Sequence, residues 1–113
     1  MQQFAFLYRA TQTLDDDALA RRAAAIRAWL LPLRAQGVIL CACVFDEAVN
    51  AVPPPAGTVL PHTGLAGVTI VQAEDLHAAE ALARQFPGRA FGAHVEVRPL
   101  VRLLLPEGVP VPG

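Results

Sequence analysis

A chain of 113 residues, 54% hydrophobic and 17% charged, suits one compact domain that buries roughly 65% of its unfolded surface. Its formal net charge of -1 and the lack of any Lys or Arg run leave no electrostatic footprint for nucleic acid. The longest apolar run, Val38 to Phe45, falls far short of the ~20 residues a spanning helix requires. The opening Met1-Gln2-Gln3-Phe4 shows neither a basic segment nor a long apolar core of the signal-peptide kind. The expectation is a cytoplasmic protein with no nucleic-acid and no membrane partner.

Phe4, Phe6 and Tyr8 alternate with Ala5, Leu7 and Arg9, which predicts a first strand over about residues 2 to 9. Thr13-Leu14-Asp15-Asp16 has the form of a capping box, and three successive Asp residues suit the positive end of a helix dipole. Leu19, Ala23, Ile26, Leu30 and Leu33 then recur at helical steps, with Trp29 widening the stripe. Pro32 should kink or end this helix, and Gly37 is a good stop.

Val38 to Val49 reads as a second strand, so continuously apolar at first that a central place in a sheet is expected. Cys41 and Cys43 lie two residues apart on it and point to one face, a poor geometry for a mutual disulfide. They read as reduced, buried thiols, with half of a metal site as the rival. Three prolines between Asn50 and Gly57 impose an extended connection, and Thr58-Val59-Leu60 is either a short strand or more loop. After the turn Pro61-His62-Thr63-Gly64, a strand runs from Gly67 to Gln72. Asp75 caps a second helix with Leu76, Ala79, Leu82, Ala83 and Phe86 as its stripe, closed by Pro87-Gly88. A last strand spans about Ala93 to Leu105, and residues 106–113 form a Pro/Gly-rich tail beyond a single domain of residues 1–105.

The order β-α-β-β-α-β defines an α+β class of the ferredoxin-like kind, a four-stranded antiparallel sheet with two helices on one face. The other sheet face is then left wet or paired with a second copy, and so apolar a composition argues for pairing.

With the elements placed, three pieces carry a resemblance. They are the strand Gly64-Leu65-Ala66-Gly67-Val68-Thr69-Ile70-Val71, the helix opening Glu74-Asp75-Leu76 with Phe86-Pro87 after it, and Val95-Glu96-Val97-Arg98-Pro99-Leu100. Together they resemble the YCII-related family. That resemblance implies a homodimer joined through the open sheet faces, a dimeric α/β barrel, and a small-molecule enzyme. One branch dechlorinates a chlorinated hydroxyhydroquinone, which by analogy implies lyase or hydrolase chemistry on small aromatic compounds. Two departures separate this chain from its relatives. The His of a His-Asp pair in some members comes from the first helix, where Ile26 or Arg27 stands here, and the Asp-Gly-Pro-Phe turn of another branch is replaced by Leu60-Pro61-His62-Thr63-Gly64.

The last strand places His94, Glu96 and Arg98 on one face, about 6.6 Å apart along the chain. Facing the space between two sheets, they suit acid or base work, with His94 as proton shuttle, Glu96 orienting it and Arg98 binding an anionic group. The competing reading is an ion pair of Glu96 and Arg98 that locks two subunits together. His62 in its turn and Tyr8 at the end of the first strand are candidate substrate contacts, and Trp29 either walls the cleft or belongs to the core. His77 is expected in solvent, and Asp15, Asp16 and Asp17 read as helix caps in preference to cation ligands. No Gly-rich phosphate loop, Ser-His-Asp elbow or zinc spacing is present, so neither cofactor nor metal is expected. The functional expectation is a small-molecule-binding dimer with lyase, hydrolase or isomerase-type acid–base chemistry on a hydrophobic or aromatic metabolite. A cofactor-independent monooxygenase-like activity and a non-catalytic dimerisation module are the alternatives.

Overall fold

A computed structural model describes residues 1–59 and 64–108 of the chain. Strand β1 (Gln2–Ala10) alternates as its sequence predicts, with Phe4 and Phe6 fully buried and Tyr8 nearly so. Helix α1 (Asp16–Ala35) is capped by Asp15, whose carboxylate accepts the Ala18 amide at 2.7 Å. The cap is therefore Asp15 and not Thr13: its extended backbone brings a short carboxylate over the third free amide, beside Asp16 and Asp17 in the first turn. Pro32 lies inside the last turn without ending the helix, which continues to Ala35.

Strand β2 (Ile39–Val44) is followed by a long connection and then by β3 (Leu65–Ala73), helix α2 (Leu76–Arg84), a 3-10 turn (Pro87–Phe91) and β4 (Ala93–Pro99). Asp75 caps α2, accepting the Ala78 amide at 2.8 Å. Gly92, between the 3-10 turn and β4, has φ 89°, a left-handed conformation that favours glycine. Thr11 and Gln12 from beyond β1 donate to the Gly92 and Phe91 carbonyls and tie this turn down.

The sheet order is β2-β3-β1-β4 with every neighbouring pair antiparallel. Residues of both helices pack against the cluster formed by Phe4, Phe6, Tyr8 and Val71 on one sheet face, which completes the α+β, ferredoxin-like arrangement. Three expectations need correction. The second strand is an edge strand, ending at Val44 where the prediction ran to Val49, because its apolar run pairs with β3 alone. Cys41 and Cys43 are consequently exposed thiols. The last strand stops at Pro99, which has no amide to donate, although the Leu100 amide makes one further bond to the Gln3 carbonyl at 2.9 Å. Thr58 and Val59 belong to no strand, and Leu60 lies outside the described residues. Among the described residues no helix is long and apolar enough to cross a membrane.

The two helices pack differently. Ala79 and Ala83 of α2 are buried, so their small side chains let that helix sit close to the sheet. No residue of α1 is fully buried, although Ile26, Trp29, Leu30 and Leu33 turn inward. The space between α1 and the sheet is a cavity.

Candidate functional site

That cavity has a volume of about 520 Å³, within the range of small-molecule sites. Its helix wall is Ile26, Trp29 and Leu30, and its sheet wall includes Tyr8, Thr69 and Gly67. Phe86, from the segment after α2, stacks on Tyr8 at 4.1 Å between ring centroids and meets Trp29 edge-on at 5.5 Å. Three aromatic rings thus close one end, in geometries that suit ring quadrupoles. Ala42 and Val44 of β2 complete the sheet wall, while Phe45, Asp46 and Glu47 lie at the exposed end.

At the buried end the Tyr8 hydroxyl donates to Thr69 Oγ1 at 2.9 Å. Cross-strand pairing sets this contact: Phe6 faces Thr69 and Tyr8 faces Gly67, so both hydroxyls project to the helix side. Burial pushes the Tyr8 phenol up to about 12, against a smaller opposing effect of the Thr69 hydrogen bond. Tyr8 is a neutral hydroxyl at physiological pH. The Trp29 Nε1–H is also buried and has no hydrogen-bond acceptor among the described residues.

Two arginines line the cavity. Arg9 points to Glu96, with Nη1 to Oε1 at 3.5 Å. Arg22, half-buried on α1, has no carboxylate within ion-pair distance among the described residues.

His94, Glu96 and Arg98 occupy the opposite sheet face, as their alternation with Val95 and Val97 requires. Glu96 is the hub: besides Arg9 it holds Arg98, Nη1 to Oε2 at 3.2 Å. His94 stands opposite Arg9 in the register, is exposed, and lines a separate cavity of about 550 Å³ with Glu80, Arg84 and Arg89. Of the five residues singled out in the sequence, Tyr8 alone lines the cavity between α1 and the sheet; His94, Glu96 and Arg98 alternate onto the open face, and His62 lies outside the described residues. Arg9 connects the two regions, lining the cavity and pairing with Glu96.

Sequence reasoning missed Thr69 and Arg22. Thr69 carried a signal: it is a hydroxyl two residues before the inward Val71, where a period of two predicts an apolar residue. Arg22 carried one too, standing four residues before Ile26 and seven before Trp29 on the inward stripe. Among the described residues no cluster of three His, Cys, Asp or Glu side chains has metal-site geometry.

The model of the YCII-related domain matches residues 1–103. The chain belongs to the YCII-related domain family. No curated protein matches it in sequence. Among solved structures it is similar to 5-chloro-2-hydroxyhydroquinone dehydrochlorinase from Burkholderia phenoliruptrix AC1100 in complex with 2,5-dihydroxybenzoquinone, at 20% identity and a TM-score of 0.54. The match covers 85% of this chain and 90% of that one, so the likeness is one of whole fold. On α1, Ile26 lines the cavity and Arg27 is exposed.

Proposed function

We propose that the protein binds a small hydrophobic or aromatic metabolite in the cavity between α1 and the sheet, as a homodimer, and carries out acid–base chemistry of the lyase, hydrolase or isomerase type on it. The observation that carries this reading is the aromatic end of the cavity, where Tyr8, Phe86 and Trp29 surround a single buried hydroxyl pair. An apolar cavity with a few convergent polar groups is the general form of a small-molecule site. Thr69 Oγ1 accepts the hydrogen bond of the Tyr8 hydroxyl and keeps its own proton for a ligand oxygen. A ring bearing carbonyl or hydroxyl oxygens matches that donor. The fold neighbour's 2,5-dihydroxybenzoquinone is of this chemical class.

In this reading Glu96 acts through Arg9, a residue of the cavity lining whose guanidinium it holds on the open face. His94 and Arg98 lie across the sheet from this cavity, so their proposed roles as proton carrier and anion contact belong to a ligand held against the open face, and His62 is a proposed contact from its turn. The alternative is a binding or dimerisation module without chemistry, favoured by the engagement of Glu96 with two arginines on that open face.

Calorimetric titration with 2,5-dihydroxybenzoquinone tests the binding. Saturable one-site binding is expected, weakened at least about tenfold by Ile26→Trp, which fills the cavity from α1. Equal binding by both proteins, or none by either, overturns the reading. Turnover of the bound quinone removes the module without chemistry, and unchanged turnover in His94→Ala removes His94 from the reaction.

A further inference from the structure

We infer that the cavity selects an anionic ligand, a ring compound carrying a carboxylate or an ionised phenolic oxygen, and that Arg22 is the residue that recognises it. This rests on the reading of the cavity as a small-molecule site and adds the charge of its occupant.

The inward stripe of α1 runs through Arg22, Ile26, Trp29 and Leu33 at steps of four, three and four residues. Three of these pack against the core cluster, and the fourth is a guanidinium. Its placement costs free energy: a half-buried cation against an apolar wall loses hydration, and such groups ordinarily find a partner. Among the described residues Arg22 has none within 4 Å. The neighbouring Arg21 pairs with Asp17 at 3.0 Å, and Arg9, on the same cavity, with Glu96. Arg22 is thus the one unpaired cation among the described residues that line the cavity.

Its surroundings fit an anion whose body is apolar. Tyr8, Thr69 and Arg22 all line the cavity, the first two buried and Arg22 half-buried, so a ring held there can present an oxygen to the hydroxyls and an acidic group to the guanidinium. Arginine's planar fork of donors suits a carboxylate or a pair of adjacent oxygens. Asp46 and Glu47 also line the cavity, but both are exposed and water screens them, whereas the apolar wall strengthens any charge pair formed at Arg22.

Two isosteric probes separate the charge from the ring. Benzoate and benzamide are titrated against the intact protein and against Arg22→Gln and Arg22→Lys, following the fluorescence of Trp29, the one tryptophan of the chain. The intact protein should bind benzoate about tenfold or more tightly than benzamide, Arg22→Gln should erase that preference while leaving benzamide unchanged, and Arg22→Lys should keep part of it. Equal binding of the two probes by the intact protein, or a preference that survives Arg22→Gln, overturns the assignment and leaves the cavity reading standing. A preference for benzoate that appears only with Asp46→Asn and Glu47→Gln also overturns it, since those carboxylates then hold Arg22. Binding of neither probe by any variant removes both inferences together.

Discussion

Tyr8 is the single tyrosine of the chain, so its ionisation can be followed without interference. Its phenol is pushed up to about 12 because burial among Phe86, Trp29 and the sheet disfavours a phenolate. The consequence for stability has a definite sign. An unfolded tyrosine ionises near 10, and the folded one holds its proton higher, so native stability is fully present below pH 10 and falls between about pH 10 and 12. Phenolate absorbance of the folded protein should therefore rise near pH 12, and thermal midpoints should drop across that window. In Tyr8→Phe this part of the drop should vanish. Identical pH profiles for the two proteins would place the phenol in water. Tyr8→Phe also leaves Thr69 without its donor, a loss of about 1 kcal/mol at neutral pH.

At the scale of elements, β2 is the most vulnerable strand, because it is held by β3 alone. Gly67 of β3 lies against it so closely that an added Cβ would sit 2.6 Å from the Cys43 carbonyl oxygen. Backbone cannot yield as the tip of a side chain can. Gly67→Ala should cost about 1–3 kcal/mol in denaturant unfolding and speed amide exchange in Ile39–Val44 ahead of β1. Protection in β2 equal to that of the parent protein would show that the strand shifts without loosening. The same strand shows where sequence reading succeeds and stops. The succession of elements was legible because the apolar period changes from two to 3.6 in β1, α1, β3 and α2. The placement of β2 was not: a continuous apolar run looks the same in a central strand and in an edge strand whose outer residues are exposed. Tyr8 was legible as a site residue from its position at a strand end. Arg22 and Thr69 were not singled out, since a charge or hydroxyl on an apolar stripe acquires meaning only when the element facing it is known.

For the whole molecule, the sheet face away from the helices decides the assembly. β1 contributes Leu7 to it, β3 contributes Val68 and Ile70, and β2 contributes Cys41 and Cys43 opposite them, with the Arg9, Glu96 and Arg98 network along the β4 side. An apolar patch bordered by ion pairs has the composition of an interface, apolar at its centre and polar at its rim. The proposed homodimer through this face makes Leu7→Glu the decisive variant, because it sets a second carboxylate directly opposite Glu96 where two sheets would pack together. Sedimentation should give a dimer for the parent protein and a monomer for Leu7→Glu. Arg98→Ala, at the rim, should weaken association only modestly, as befits an ion pair whose arginine is 65% exposed. The cavity lies on the opposite side of the sheet, so the Leu7→Glu monomer should still bind a ring compound. Binding lost together with the dimer would show that the partner completes the site, through Arg9 and Glu96, which link the two faces. A parent protein that sediments as a monomer leaves the open face in solvent and removes the dimer from the proposal.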